Sequence, residues 1–285
     1  MRAHGSVTEP PAAHSADHLC WVHDDDEPFG DAVRAFLAGG LVRGERLLCV
    51  GDRAIAALED PSGSLGDVAA LLAGGALETM TVAEVSAAAG ALGADPQRAF
   101  YDAATRRALD DGYRGLRVVA EVTELAADPG LIEELVRWEH AADEFIASGS
   151  GMSAMCAYRG DLPPATLGAV LAVHPLRHGP DQLSPFRLFF DDDRLVLTGS
   201  VDTFSADRLA TLLAGTPAGN TALLDLSGLE FIDVAGCRAL AGWAGELQAR
   251  CVPLEVRGAS PLLQRVWHIL GLHDVAPVTF TDPRG

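Results

Sequence analysis

Four stretches, HLCWVHD, GERLLCVGD, GLRVVAEVTEL and MSAMCAYRG, are apolar almost end to end and show no in–out alternation. Each pair of neighbours is separated by a segment with helical spacing, such as Phe29, Val33, Phe36 and Leu37. An uninterrupted apolar strand is one buried on both faces, and parallel strands need a crossover helix between them. These runs therefore predict an α/β domain with a parallel sheet covered on both sides. LETMTV adds a short strand, residues 95–111 a helix, residues 129–147 a long amphipathic helix, and ATLGAVLAVHP a helix after the last strand. At 285 residues the chain is long enough for two domains that each bury a core.

Parallel sheets bind ligands beyond the carboxyl ends of their strands, which directs attention to Asp24, Gly51, Asp52, Glu121 and Arg159. The acidic run Asp24 to Glu27, followed by Pro28, reads as a helix N-terminus, where carboxylates are favoured by the helix dipole. VGDRAIAAL is the strand–turn–helix segment that most resembles a phosphate loop, but it lacks the second glycine and the lysine that such a loop requires. Nucleotide hydrolysis by that device is excluded. The formal net charge is −19 and every basic residue is an arginine, so a nucleic-acid partner is not expected.

The five cysteines (Cys20, Cys49, Cys156, Cys237, Cys251) form no CxxC pair and read as buried, reduced thiols of a cytoplasmic protein. His18 and His140 have no companion at metal-ligand spacing, and His174, before Pro175, reads as a helix C-terminal cap, so no metal and no cofactor are assigned. Residues 1–17 are polar and predict a disordered tail. No signal peptide or membrane span is predicted.

Residues 179–183 form a breaker-rich linker, and a second regular region runs over residues 184–285. FRLFFDDDRLVLTGSVD predicts two strands around an acidic turn. NTALLDLSG predicts a continuous strand ended by LEFID, helices are expected over 205–213, 234–248 and 260–270, and PLEVRG is a further strand. A small α/β sandwich results.

The succession HLCWVHDDDEPFGDAVRAFLAGGLVRGERLLCVGD, RGLRVVAEVTEL, LVRWEHAADEF and MCAYRGDLPPATLGAVLAVHP resembles the MEDS family of sensory domains over residues 18–178. The resemblance implies a RecA-like or KaiC-like α/β domain that binds a small molecule, with Glu121 and Glu139 at the positions where glutamates recur and Arg159 nearby. LTGSVDTFSADRL, ALLDLSGLEFIDVAGCRALAGWA and VWHILGL resemble a STAS domain of the anti-sigma factor antagonist type. That resemblance implies a partner of the anti-sigma factor or histidine-kinase-like ATPase class. It also implies a loop in which the residue after an aspartate is phosphorylated. Asp233 matches the aspartate and Gly236 the glycine, while Val234 and Ala235 stand where the hydroxyls belong. Asp233 is suited to cap the following helix, and Gly236 to admit a partner's backbone. The chain as a whole reads as a non-enzymatic signalling adaptor. The alternative is a nucleotide-binding or catalytic first domain with Glu121 as an acid/base residue.

Overall fold

The computed structural model describes residues 2–10, 17–59, 64–90, 93–216 and 221–281. The first domain is built on seven strands: β1 (Gly5–Ser6), β2 (His18–His23), β3 (Arg46–Val50), β4 (Leu77–Met80), β5 (Leu116–Glu121), β6 (Met152–Arg159) and β7 (Leu176–His178). Their order is β1-β7-β2-β6-β5-β3-β4 and every pair is parallel. The non-alternating runs became the central strands, buried on both faces as their composition requires.

Alternation assigns the two faces. His18, Cys20 and Val22 of β2 point the same way as Val118 and Ala120 of β5 and Cys156 and Tyr158 of β6, toward the helices Ala94–Asp110 and Ile132–Ala147. Leu19, Trp21, Val119, Met155 and Ala157 point the other way, onto the Asp26–Arg43 helix with its Phe29, Val33, Phe36 and Leu37.

Two sequence expectations need correction here. The tail does not run free to residue 17: Gly5 and Val7 donate to the carbonyls of Pro175 and Arg177 at 2.9 Å, adding an edge strand, and Arg2 reaches Asp143 at 2.6 Å. Residues 1 and 11–16 of that tail lie outside the described residues. Nor is MSAMCAYRG the last strand, since β7 follows and pairs with both β1 and β2.

The second domain holds β8 (Phe186–Asp191), β9 (Arg194–Val201), β10 (Ala222–Asp225), β11 (Leu229–Ile232), β12 (Leu254–Arg257) and β13 (Thr279–Thr281). β8 and β9 form the antiparallel hairpin expected of the acidic turn, with Asp192 at φ 57°. All other pairs in this sheet are parallel. The predicted continuous strand is in fact two, β10 and β11, because the residues between them turn: Leu229 N–H donates to Leu226 O, and Asp225 caps Ser227 N–H at 2.8 Å. The helices Val234–Ala249 and Pro261–Ile269 fall where the periodicity placed them. Cys251 departs from the reading of buried thiols, since it sits exposed in the turn after the Val234–Ala249 helix at φ 58°.

The two domains share one hydrophobic core. A continuous cluster runs from Tyr101, Trp138 and Ile146 of the first domain through Phe186, Leu188 and Phe190 to Leu209, Leu213 and Leu240 of the second. The Ile132–Ala147 helix packs on its own sheet, on β8 and on the Ala206–Ala214 helix.

Candidate functional site

At the carboxyl ends of the parallel strands, register sets His23 beside Arg159 and Glu121 beside Ala157. Glu121 is buried. Thr123 Oγ donates to its carboxylate, and His23 Nε2 lies 3.9 Å away. The His23 ring stacks on Phe29 with centroids 3.9 Å apart, and neither of its buried ring nitrogens has a hydrogen-bond partner. Gly51, at φ 96°, closes this edge. A Cβ there would sit 2.3 Å from the Glu121 carbonyl oxygen, so glycine is what lets the loop after β3 cross the end of β5. Arg159 points toward solvent between Asp161 at 3.4 Å and Asp26 at 3.8 Å.

Glu139 is not part of this edge. Glu121 shares its parity with Val119 and Arg159 with Ala157, which face the Asp26–Arg43 helix, whereas Glu139 lies on the Ile132–Ala147 helix across the sheet. The expectation of one site holding Glu121, Glu139 and Arg159 is therefore corrected to a strand-end pair and a separate, buried carboxylate.

Around Glu139 the chain gathers groups from four elements. Tyr158 Oη donates to Glu139 Oε1. His18 Nε2 and His174 Nε2 each lie 3.4 Å from Glu139 Oε2, and Cys156 Sγ lies 3.6 Å from His18 Nε2. All are buried. Burial alone would raise the Glu139 pKa, but the two imidazoles outweigh it and hold the carboxyl well below its usual range. His18 faces two carboxylates, Glu139 and Asp143, and these overcome its burial so that its pKa is raised. His174 has only Glu139 against burial and the neighbouring His18, and its pKa is lowered.

His174 does cap its helix, donating from Nδ1 to Val170 O at 2.7 Å, yet its other nitrogen joins this cluster. No sequence spacing signals the set, because it is assembled by strand order. A small cavity of about 40 Å³ adjoins it, lined by Tyr101, Val118, Leu135, Trp138, Glu139 and Cys156.

The cluster also touches the second domain. Asp143, fully buried, accepts from His18 Nδ1 at 3.1 Å, from Arg2 Nη1 at 2.6 Å and from the backbone N–H of Phe190 in β8 at 2.6 Å. One turn away, His140 Nε2 lies 3.1 Å from Thr216 Oγ and its ring tilts against Phe190. A cavity of about 360 Å³ opens beside it between the domains, lined by Val136, His140, Ala169, Arg208 and Leu212.

Burial, with the charges of His18 and His174, lowers the His140 pKa to about 4 despite Asp143. In the unfolded chain it is about 6.5, so the unfolded state takes up the extra proton as pH falls from about 6.5 to about 4, and stability is lost across that window. Between pH 7 and pH 5 the loss is expected to be about 2 kcal/mol. Urea unfolding of the parent and of His140→Gln at both pH values checks this. The variant should lack that part of the pH dependence, and identical slopes would contradict it.

In the second domain, Asp233 caps the Val234–Ala249 helix by accepting from Gly236 N–H at 2.9 Å, and Thr203 Oγ donates to its other oxygen at 2.8 Å. These bonds hold its carboxyl below the ordinary range. Gly236 has a different reason from the one expected. It is buried, and a Cβ would lie 2.6 Å from Ile232 Cγ1 and 2.9 Å from Val201 Cγ1, so the glycine seats the helix on β9 and β11 rather than admitting a partner. Val234 is 41% exposed, and in the neighbouring segments Phe204 is exposed at 96% and Phe231 at 54%. A groove of about 140 Å³ beside the loop is lined by Phe231, Ile232, Ser260, Leu262 and Val266.

The fold thus sets a buried polar cluster in the parallel-sheet domain and a capped loop with exposed apolar residues on the second α/β unit. The chain belongs to the MEDS family: the model described as MEthanogen/methylotroph, DcmR Sensory domain matches residues 17–175. The model described as Mlab, STAS domain matches residues 186–279, and the pair defines a signalling protein. Comparison with the curated proteins finds no match. Among solved structures, the phosphorylated form of the Bacillus cell fate determinant SpoIIAA is similar at 19% identity, covering 34% of this chain and 89% of that one, with a TM-score of 0.27. No helix among the described residues is long and apolar enough to cross a membrane.

Proposed function

We propose that this chain is a non-enzymatic, cytoplasmic signalling adaptor in which a RecA-like or KaiC-like MEDS domain senses a small molecule and controls the partner-binding face of a STAS domain. The observation that carries the reading is Asp143, which bonds the buried cluster of the first domain and the β8 backbone of the second with the same carboxylate. The STAS face acts as an anti-sigma factor antagonist does, docking an anti-sigma factor or a histidine-kinase-like ATPase through the apolar surface of Phe204, Phe231 and Val234. Strand-end Glu121, with Arg159 at the same edge, contributes to the small-molecule site, and Glu139, buried across the sheet, belongs to the polar cluster that Asp143 ties to the second domain.

Control by phosphate at the usual position is not available to this protein. A phosphate adds a charge of about −1.5 to −2 and disrupts an apolar interface beside a carboxylate, but Val234 and Ala235 offer it no oxygen. The switch therefore lies in the first domain, since any change of affinity needs an event that distinguishes two states. Incubation with a serine kinase of the anti-sigma class and ATP should leave residues 227–238 unmodified by mass spectrometry, where Ser227 is the single hydroxyl. Affinity capture with the full chain should recover an anti-sigma-type or ATPase partner, and Val234→Asp should weaken that capture at least about tenfold by placing a charge in the interface. A phosphate in the window, or equal capture by parent and variant, would sink the proposal.

A further inference from the structure

The groups around Glu139 are arranged as electron-pair donors that meet at one point. His174 Nδ1 lies 2.7 Å from a carbonyl oxygen and His18 Nδ1 lies 3.1 Å from a carboxylate oxygen, so each of these nitrogens carries its ring's proton. Rings so oriented turn their Nε2 atoms inward, onto Glu139 Oε2, and a metal there would take the place of any proton on them. That oxygen and His174 Nε2 are buried and lack any hydrogen-bond partner. Cys156 Sγ completes a set of four donor atoms that all lie within 4.8 Å of one another. The lone pairs of His174 Nε2 and Glu139 Oε2, 3.4 Å apart, converge with no hydrogen-bond partner for either, and in a dry interior their repulsion is unscreened.

We propose that His18, Glu139, Cys156 and His174 bind one divalent transition-metal ion of the zinc class. Tetrahedral zinc, with bonds of about 2.0–2.1 Å to nitrogen and oxygen and about 2.3 Å to sulfur, sets its ligand atoms about 3.3–3.6 Å apart. The three distances in hand are 3.4 Å, 3.4 Å and 3.6 Å. The surrounding bonds are also those of a built metal site. One imidazole donates to a carboxylate, the other to a backbone carbonyl, and the ligating carboxylate receives Tyr158 Oη on its free oxygen.

Two histidines, a thiolate and a carboxylate fill all four positions. The ion is therefore structural rather than catalytic, and it staples β2, β6, the Ile132–Ala147 helix and the turn that follows the Pro164–Ala172 helix. On binding, the metal–sulfur bond forms as the Cys156 S–H bond breaks, and the proton passes to buffer. The inference needs no partner for the STAS domain, so it stands or falls apart from the proposed function.

The full chain, purified without chelators and analysed for metals, should carry one zinc-class ion per molecule. Exchange for Co(II) should give tetrahedral d–d bands together with a thiolate-to-cobalt charge-transfer band. Cys156→Ser should lose the charge-transfer band while keeping the far-ultraviolet circular dichroism of the parent, and Cys251→Ser should keep both. In competition with a chromophoric chelator, Asp143→Asn should bind the ion about 10- to 100-fold more weakly, because His18 loses the carboxylate that orients it. A folded parent that takes up neither Zn(II) nor Co(II) at one per chain would overturn the proposal, showing that protons alone satisfy the cluster. So would a charge-transfer band that survives Cys156→Ser. Should the serine variant fail to fold, the stoichiometry and spectrum of the parent decide.

Discussion

Asp143→Ala is expected to lower the unfolding free energy by about 3–5 kcal/mol, the cost of breaking a buried charge pair from one side. The variant strips three donors of their acceptor at once: the buried His18 Nδ1 and Phe190 N–H and the half-buried Arg2 guanidinium. Because the last of these belongs to the second domain, the loss should also reduce cooperativity, and calorimetry should resolve two thermal transitions where the parent shows one. Acid provides an independent check. Burial raises the Asp143 pKa, but Arg2, His18 and Phe190 N–H together hold it at about 2, against about 3.9 in the unfolded chain. A depressed carboxylate stabilises above its unfolded pKa, so this contribution is complete above about pH 4 and lost as the pH falls toward 2. A variant that melts once, near the parent temperature, would contradict the account of a shared core.

The second large effect lies on the opposite face of the sheet. Arg117 is fully buried. Its Nε donates to Glu45 at 2.6 Å, and its guanidinium lies 4.5 Å from the centre of the Phe36 ring. Gly40 makes room for it, since a Cβ there would stand 2.7 Å from Arg117 Cδ. Arg117→Leu leaves the Glu45 carboxylate buried, with Arg43 at 2.8 Å as a remaining cation, and should cost about 3–5 kcal/mol in chemical denaturation. Removing both charges, with Glu45→Leu added, should recover more than half of that, because an apolar pair of similar volume carries no desolvation cost. If the double variant is no more stable than the single one, the pair is not the unit that matters.

The parallel sheet was legible because the strands RLLCV and LRVVAE hold consecutive apolar residues, Leu47 to Val50 and Val118 to Ala120, that occupy both faces at once. The Asp233 cap was legible too, since N-capping depends on a residue and the amides two or three positions on. What escaped depends on pairing between distant segments. β1 and β7, of two and three residues, have no pattern of their own and exist because Pro175 and Arg177 carbonyls lie beside Gly5 and Val7. The separation of Glu121 from Glu139 could have been anticipated for the first residue, whose parity follows from Val119. The side of the sheet taken by the Ile132–Ala147 helix needed the handedness of each crossover. The convergence of His18, Cys156 and His174 was beyond sequence spacing, since it requires β2 to lie directly against β6.

Asp143 holds the N–H of Phe190 in β8, β8 pairs with β9 along Phe186 to Asp191, and Val201 at the end of β9 accepts from Asp233 N–H at 3.1 Å. A continuous ladder thus runs from the buried cluster to the STAS loop. The most direct measurement is hydrogen exchange on the full chain, comparing the parent with Asp143→Asn, which keeps the size of the side chain and removes its charge. Faster exchange is predicted in β8 and at the start of the Val234–Ala249 helix, with β3 and β4 unchanged. Exchange that rises only around residues 18 and 143, leaving β8 and the Asp233 loop at parent rates, would contradict the claim that the first domain reaches the second through this carboxylate.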